Sequence, residues 1–411
     1  MAVSEYRQTK IREVARINAH SIKGNNTPSH IEYIDISSVG TGVFIEPPKR
    51  MSFTDAPSRA RRILKSGDTI LSTVRPNRRS FLFLSAASSI TVASTGFVVL
   101  TPTSVVDARY LYYWVTRQDF TDYLSLHAKG AAYPAVSAED IGDGEINLPP
   151  LPIQRCIAGI LSAYDELIEN SQKRIKTLEA MARALYREWF VYFRFPGYEN
   201  RPRFSSPLGE LPQGWKVGVL GDFVQFKSGF AFKSSAFTPG GSYRLVTIKN
   251  VQDGFFVPES DSNLNELPSN MPPYCILEDG DILLSLTGNV GRVCLVYDGP
   301  FLLNQRVSKI IPVADFDWAI AYCLFRETDM RVKLEQLSNG VAQQNLSPIL
   351  ASRMDVAYPP EELRRAFATN VAPMLRQIVQ LYSIIQNLRR TRDLLLPRLL
   401  TGHLGLVGDE P

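Results

Sequence analysis

Histidine and cysteine are scarce in this sequence, with four of each among 411 residues. The cysteines are Cys156, Cys275, Cys294 and Cys323. No two of them form a CxxC pair, which argues against a disulfide framework or a zinc site and predicts no metal on the chain. The sequence also has no Gly-Lys dipeptide. It therefore lacks the P-loop that binds the phosphates of ATP.

An excess of one charge is also missing, because 45 Lys and Arg residues are balanced by 41 Asp and Glu residues. Without a strong overall field, any site for nucleic acid has to be a local one. The sequence has no run of 18 apolar residues, and its first ten residues lack the apolar stretch of a signal peptide. These absences predict a cytoplasmic protein without a membrane span. The length itself predicts two or three domains.

Catalytic motifs are absent as well. Residues 40–42 read Gly-Thr-Gly, but the Val-Phe-Ile-Glu-Pro-Pro that follows is not the start of a cofactor-binding helix. Residues 270–274 resemble the Asn-Pro-Pro-Tyr of amino-methyltransferases, although an inserted Met spoils the spacing and favours a proline-rich turn. No serine lies in a nucleophile-elbow pattern. We therefore expect a binding protein that is not an enzyme.

The sequence contains an internal repeat. At an offset of 210 residues, Gly130 aligns with Gly340, and Pro149-Pro150 aligns with Pro359-Pro360. Upstream, residues 64–74 match residues 277–287 at an offset of 213. Each copy contains short β-rich runs followed by one predicted helix, at about 107–127 and 316–337. The pattern predicts two duplicated α+β domains that mix helices and strands.

Each copy ends in a long amphipathic helix. Apolar side chains recur at alternating spacings of four and three, which is the pattern of a coiled-coil seam. The seam consists of Ile157, Leu161, Tyr164, Ile168, Ile175, Leu178 and Leu185 in the first helix, and Val371, Met374, Ile378, Leu381, Ile385, Leu388 and Leu395 in the second. Arg392 interrupts the second helix's seam, and Pro373 is expected to break or kink that helix near its start.

The two long helices are predicted to pack on each other. Tandem copies that bury equivalent surfaces tend to do so around a pseudo-two-fold axis, which makes their helices antiparallel. The globular domains would then lie at opposite ends of the paired helices. Residues 193–218, rich in Pro, Gly and Ser, are expected to link the first helix to the second domain.

A basic cluster lies in the first repeat. Residues 49–79 contain nine Lys and Arg residues but only two acidic ones, Asp55 and Asp68. This excess favours a surface that contacts phosphates. The candidate DNA-binding residues here are Arg61, Arg62, Arg75, Asn77, Arg78 and Arg79. Residues 75–79 follow a strand and can present guanidinium groups to guanine. A solvated charged loop is the alternative interpretation.

The second repeat is acidic, with 12 basic and 16 acidic residues between positions 207 and 358. Its DNA-binding candidates are therefore individual polar groups, since Asn and Gln can pair with adenine and Arg with guanine. These candidates are Asn289, Arg292, Gln305, Arg306, Gln343, Gln344 and Asn345. Each of them is also a residue type that commonly shapes turns.

The order of these features resembles the specificity subunit of type I restriction-modification systems. Residues 130–150 and 340–360 each run from a Gly-containing loop to Pro-Pro and a long helix. A Phe-Pro-Gly segment leads to residues 206–215, Ser-Pro-Leu-Gly-Glu-Leu-Pro-Gln-Gly-Trp, and then to Leu-Gly-Asp at 220–222. Residues 151–155 and 361–365 depart from the Leu-x-Glu-Gln that usually follows Pro-Pro in this family.

The resemblance implies two target-recognition domains that read the two halves of a split sequence in double-stranded DNA. The helices would space the domains and dock two methyltransferase subunits, and motor-nuclease subunits would join for cleavage. S-adenosylmethionine, ATP and magnesium would bind those partners, with no cofactor on this chain. A helical scaffold or adaptor without sequence-specific DNA binding is the alternative function, favoured by the acidic second repeat.

The expected boundaries follow from the repeat and the resemblance. They are residues 1–150 for the first recognition domain, 151–192 for the central helix, 193–218 for the linker, 219–358 for the second recognition domain, 359–402 for the C-terminal helix and 403–411 for the tail.

Overall fold

The computed structural model describes residues 6–23, 27–338 and 345–402. They form two compact units, one within residues 1–167 and 388–411 and the other within residues 168–387. Each unit holds one globular domain and a segment of each long helix. The duplicated α+β organisation expected from the repeat is confirmed. No helix in the described part of the chain is long and apolar enough to cross a membrane.

The first unit contains two four-stranded sheets and one two-stranded pair. Its elements are β1 (Arg7–Lys10), α1 (Ile11–Val14), β2 (Ala15–Ile17), β3 (His30–Ile34), β4 (Lys49–Ser52), β5 (Ala60–Ile63), β6 (Thr69–Ser72), β7 (Phe81–Phe83), β8 (Thr91–Ser94), β9 (Phe97–Pro102), α2 (Ala108–Val115), α3 (Gln118–His127), α4 (Ala138–Asp143), β10 (Glu145–Leu148) and the start of α5 (Leu151–Tyr186). The sheet orders are β2-β9-β6-β7, β4-β3-β8-β5 and β1-β10.

The second unit repeats this arrangement. Its elements are β11 (Arg203–Ser206), β12 (Gly209–Pro212), β13 (Lys216–Val219), β14 (Val224–Ser228), β15 (Tyr243–Val246), β16 (Asn263–Leu264), β17 (Ile276–Leu277), β18 (Ile282–Ser285), β19 (Val293–Leu295), β20 (Phe301–Leu303), β21 (Val307–Pro312), α6 (Trp318–Phe325), α7 (Thr328–Gln336), α8 (Pro348–Ser352), β22 (Asp355–Tyr358) and most of α9 (Glu361–Leu400). The sheet orders are β14-β21-β18-β19, β16-β15-β20-β17 and β13-β22, with β11-β12 as an extra hairpin.

The shared strand order shows that the two units have one topology. In each unit, one four-stranded sheet contains a single parallel pair, β3 with β8 and β15 with β20, among otherwise antiparallel strands. The central strands β6 and β18 are buried along their whole length. Such strands have covered faces on both sides, which suits their apolar and small polar composition.

The single helix predicted after the strands of each repeat is wrong, because two helices occur there. In the first unit α2 ends at Val115 and α3 begins at Gln118. Arg117 between them has an extended backbone, with ψ at 155°, and its guanidinium lies 3.7 Å from the Trp114 ring. Glu327 is likewise extended between α6 and α7 in the second unit. The spacing of apolar residues did not reveal these breaks, because an interruption of about two residues hardly disturbs a 3.6-residue period.

The long helices pair in opposite directions. In the first unit Leu399, near the end of α9, packs in one apolar cluster with Ile157 near the start of α5. In the second unit Phe367, near the start of α9, contacts Tyr186 at the end of α5, with ring centroids 6.0 Å apart. The antiparallel orientation is thus confirmed. A π-helical turn at Arg187–Val191 follows α5.

All the seam residues named from the heptad pattern are buried or half-buried. The charged interruption at Arg392 has a local explanation. Its guanidinium donates to the Asp165 carboxylate at 2.5 Å and to Asp393 at 2.8 Å. Asp165 on α5 therefore neutralises the positive charge that Arg392 places in the seam.

The expected break at Pro373 does not occur, since α9 runs without interruption from Glu361 to Leu400. Pro373 is exposed, and so is Thr369, whose carbonyl loses its helical donor. Water can therefore satisfy that carbonyl, and the proline ring meets solvent instead of the seam.

Replacing this proline should stabilise the second unit. We expect Pro373→Ala to raise the free energy of unfolding by about 1–3 kcal/mol, because it restores one helical hydrogen bond. Urea unfolding measures the change. The first helix has Ala163 at the matching position, also exposed, and Ala163→Pro should shift stability in the opposite direction. An unchanged unfolding midpoint in Pro373→Ala would contradict the argument.

Two polar side chains at the starts of the long helices are buried within their own units. Gln154 accepts a hydrogen bond from the Asp107 backbone N–H at 2.8 Å and donates to the carbonyl of Pro149 at 2.7 Å. The matching residue of the second repeat, Arg364, pairs with the buried Asp317 and lies 4.5 Å from the Tyr358 ring. In both units, therefore, the fourth residue after Pro-Pro joins the start of the long helix to its own unit.

Candidate nucleic-acid interface

The turn after β6 and the hairpin at Lys129–Ala135 form one surface of the first unit. Val74 pairs with Ala135 in a β-bridge, and the Arg75 N–H donates to the carbonyl of Pro134 at 2.7 Å. The hairpin is closed by two backbone hydrogen bonds of 2.9 Å between Lys129 and Ala135. We call residues 75–79 and 129–135 the first reading edge.

Arg75 is engaged within this edge. Its backbone is left-handed, with φ at 50°, and its guanidinium lies 4.5 Å from the centre of the Tyr133 ring. Its Nη2 also donates to the carbonyl of Ala132 at 3.3 Å. Arg75 therefore holds the hairpin in place, and a direct contact with guanine would require these interactions to break.

Arg79 is also engaged within the protein. Its guanidinium donates to the carbonyl of Thr116 at 2.8 Å and to the side chain of Gln118. It thereby ties the turn to the start of α3. Asn77 and Arg78, in contrast, are exposed, and Arg78 forms no ion pair with any residue that the structure describes. Of the predicted turn residues, these two are the ones available to DNA.

Arg61 and Arg62 lie on β5, in the other four-stranded sheet. The Arg61 guanidinium lies 5.2 Å from the Phe53 ring, and Arg62 donates to the Ser21 hydroxyl at 3.2 Å. Burial lowers the pKa of Arg62. Among the described residues, neither side chain forms a hydrogen bond, ion pair or cation–π contact with the Arg75–Arg79 turn.

Acidic residues outside the counted window neutralise part of the basic cluster. Arg59 pairs with Asp35 at 2.6 Å, and Lys49 pairs with Glu46 at 3.5 Å. Burial alone would raise the pKa of Asp35, but hydrogen bonds from Arg59 and its neighbours lower it to about 2. Two of the nine basic residues are thus paired with acidic side chains. The net positive charge of the cluster is therefore smaller than the count over residues 49–79 implied.

The second unit builds an equivalent edge from different side chains. Thr287, just after β18, pairs with Asn345 as Val74 pairs with Ala135. The Leu286 N–H donates to the carbonyl of Arg306 at 3.1 Å, so the turn between β20 and β21 joins the same edge. We call residues 287–292, 304–306 and 345 the second reading edge.

The predicted residues of this edge differ in how free they are. Gln305, Arg306 and Asn345 are exposed. Arg292 is half-buried and donates to the side chain of Gln252. With its amide oxygen turned toward Arg292, Asn289 accepts a hydrogen bond from that guanidinium at 3.1 Å. Gln343 and Gln344 lie outside the described residues.

Sequence reasoning missed two features of the first reading edge and its neighbourhood. Tyr133 is the most prominent, because 68% of its surface is exposed at the tip of the hairpin. A second is the exposed apolar run Val43-Phe44-Ile45. It adjoins the turn, since the Thr41 hydroxyl donates to the carbonyl of Arg79 at 3.1 Å. The sequence did contain a signal for Tyr133, since an aromatic residue next to Pro in a Gly-containing loop is expected to be exposed.

The outer faces of the long helices carry exposed apolar side chains that are not part of the seam. Leu167 and Leu394 lie in the first unit, and Met181 and Ile384 lie in the second. A helix whose outer face is partly apolar has surface left for a partner after its seam is covered.

Comparison with known proteins matches this architecture to one family. Residues 4–180 and 212–354 match the type I restriction modification DNA specificity domain. The chain is 26% identical over 351 residues to the MjaIX specificity subunit of Methanocaldococcus jannaschii, covering 84% of this chain and 79% of that protein. It is 23% identical to the HindI specificity subunit of Haemophilus influenzae, covering 98% and 100%.

A solved structure has the same fold. The S subunit of a type I restriction-modification system from M. genitalium superimposes with a TM-score of 0.60 at 16% identity, covering 99% of this chain and 97% of that one. Because the family match covers both repeats and well over half of the residues, the chain belongs to the family of DNA specificity subunits of type I restriction-modification systems.

Proposed function

We propose that this chain reads a DNA target of two parts, with one reading edge for each half-site. The observation that carries the proposal is the pair of equivalent bridges, Val74 with Ala135 and Thr287 with Asn345. One topology thus presents two edges whose exposed side chains differ. A shared scaffold with different readers is what two unlike half-sites require.

The exposed side chains suit contacts with base edges. Arg78 and Arg306 can each donate two hydrogen bonds to guanine, while Asn77, Gln305 and Asn345 can pair with adenine. All five are exposed on their turns. Backbone contacts that position the duplex would come from neighbouring cations such as Lys129.

The chain would act in a complex and perform no chemistry itself. We infer that two methyltransferase subunits dock on the outer helix faces near Leu167, Met181, Ile384 and Leu394. Motor-nuclease subunits would join this assembly for cleavage. S-adenosylmethionine, ATP and magnesium would then bind these partners in the cytoplasm, where the target DNA lies.

The first reading edge can be tested with Arg78. In a complex with methyltransferase subunits, we expect Arg78→Ala to weaken binding to the first half-site by about 1–3 kcal/mol while the second half-site stays unchanged. Arg79→Ala should instead lower the melting temperature, since Arg79 ties the turn to α3. Mapping methylated bases across a genome reports both half-sites.

Arg50 provides the control, because it is exposed on β4 in the other sheet. Arg50→Ala should leave the methylation motif intact. A loss of affinity in Arg78→Ala that is equal for all DNA sequences would identify Arg78 as a phosphate contact. Binding by the intact complex without any sequence preference would favour the scaffold function over the one proposed.

A further inference from the structure

We propose that Tyr133 stacks its ring on a base of the first half-site. This inference rests on the proposed DNA-reading function and assigns one residue a mode of contact that differs from base-edge hydrogen bonding. In duplex DNA a side chain can stack on a base only where the base step is opened, as it is by apolar side chains inserted between steps. Tyr133 would therefore anchor the duplex on the first reading edge while Asn77 and Arg78 read it.

The exposure of Tyr133 is the first observation. Its side chain is 68% exposed, whereas Tyr33, Tyr110 and Tyr113 of the same unit are buried. An aromatic ring left in water contributes little to the stability of its own domain. Its free face is apolar surface that stacking on a base would cover.

The ring is also held in place before any DNA arrives. Arg75 covers one face of the ring at 4.5 Å and donates to the adjacent Ala132 carbonyl. The hairpin closes through Lys129 and Ala135, and Gly130 has a φ of +102° that other residues rarely adopt. A side chain fixed in this way loses little conformational entropy on binding. One face is occupied, and the other remains for a base.

The surroundings of the ring favour a nucleic acid as the ligand. The hairpin residues beside Tyr133 are the small, exposed Ala131 and Ala132, which leave room for close approach. Neither part of the first reading edge, residues 75–79 or 129–135, contains an acidic residue. Lys129 and Arg78 are exposed cations on the same edge. In nucleic-acid-binding proteins, aromatic rings contact bases and nearby cations contact the phosphate backbone.

Arg75 and Tyr133, the guanidinium and ring that lie against each other, have no counterparts of the same type in the second repeat. At the repeat offsets, Gln343 replaces Tyr133 and Gly288 replaces Arg75 in the sequence. A pair that only stabilised the shared topology would be needed in both copies, because both units have the same strand order. We therefore attribute the pair to a function that only the first unit has, which in this proposal is binding of the first half-site.

The test uses the complex with methyltransferase subunits and duplexes that carry its mapped methylation motif. We expect Tyr133→Ala and Tyr133→Gln to bind about tenfold more weakly, and Tyr133→Phe to bind within about twofold of the unmodified complex. Duplexes with a scrambled first half-site should show no difference among these variants, because the first reading edge does not dock on them and no base is then placed against Tyr133. Melting temperatures should differ by a few degrees at most, because the side chain is exposed and loses only its surface contact with Arg75.

Fluorescence separates stacking from other contacts. With 2-aminopurine placed in turn at each first-half-site position other than the methylated base, emission should change at one position for the unmodified complex and for Tyr133→Phe. It should not change there for Tyr133→Ala. Labels in the second half-site should respond equally in all variants.

Three results would overturn the proposal. Tyr133→Phe could lose as much affinity as Tyr133→Ala, which would identify a hydroxyl contact. Tyr133→Ala could bind within twofold of the unmodified complex, or it could lose affinity equally for duplexes with a scrambled first half-site. A complex with no sequence preference before any substitution would contradict the proposed function itself, which keeps the two failures distinct.

Discussion

Replacing Arg364 with methionine is expected to lower the free energy of unfolding of the second unit by about 3–5 kcal/mol at pH 8. The substitution leaves Asp317 without its cation, and Asp317 has no exposed surface. A buried carboxylate that loses its partner must either remain charged in an apolar site or take up a proton. Hydrogen exchange resolved along the chain measures the loss in this unit alone.

The loss should depend on pH in a defined direction. Burial raises the pKa of Asp317 to about 6 even though Arg364 opposes that shift. Without Arg364, the folded-state pKa should rise further above the value of 3.8 for an unperturbed aspartate. The folded unit then binds the proton more tightly than the unfolded chain does. Its stability rises as pH falls through the folded-state pKa, so the deficit should be smaller at pH 5 than at pH 8.

Two controls make this prediction specific. Asp317→Asn combined with Arg364→Met removes both charges and should recover most of the stability, with little dependence on pH. Gln154→Met changes the matching position of the first unit, where the side chain is neutral. It should destabilise that unit without the pH dependence. A free energy of unfolding for Arg364→Met within about 1 kcal/mol of the unmodified protein at pH 8 would contradict the prediction. Such a result would mean that the buried Asp317 carboxylate costs little without its cation.

Introducing a charge into the seam should have the second large effect. Ile378 is 3% exposed, and Ile378→Asp buries an unpaired carboxylate, which we expect to cost about 4–5 kcal/mol or more. The same change at Ile384, on the same helix but 46% exposed, is the matched control. We expect Ile384→Asp to melt within a few degrees of the unmodified protein.

Recovery of methyltransferase subunits adds a functional measurement to this pair. Ile378→Asp should lose the partners together with the fold of its unit, whereas Ile384→Asp tests docking on a folded unit. If Ile378→Asp melts and assembles as the unmodified protein does, Ile378 is not part of the helix seam.

The repeat and the seam were predictable because both are periodic along the chain. The 210-residue offset survives in turns and prolines, and heptad spacing needs no knowledge of the partner helix. The break at Arg117 and the continuity at Pro373 were not predictable in this way. The first depends on a two-residue change in backbone direction, and the second depends on which side of α9 faces water.

The candidate interface was predictable in its position but less so in its residues. A turn after a buried strand was visible from residues 69–79, and the structure places it beside a loop more than 50 residues away. Counting charges in a window missed Asp35, which pairs with Arg59 although the two lie 24 residues apart in the sequence. Arg75, Arg78 and Arg79 are the same residue type, and only the structure shows that Arg75 and Arg79 have partners within the unit while Arg78 is exposed.

The first unit is discontinuous, and this bears on the order in which the protein is made. Leu399 and Leu400 are buried in a core with Ile11 and Ile157, so that core lacks part of its apolar surface until these two residues have been synthesised. The second unit lies within the continuous stretch 168–387. The ribosome therefore synthesises every residue of the second unit before it reaches Leu399 and Leu400, which the core of the first unit needs. A truncation before Leu399 would accordingly damage the unit that begins the sequence.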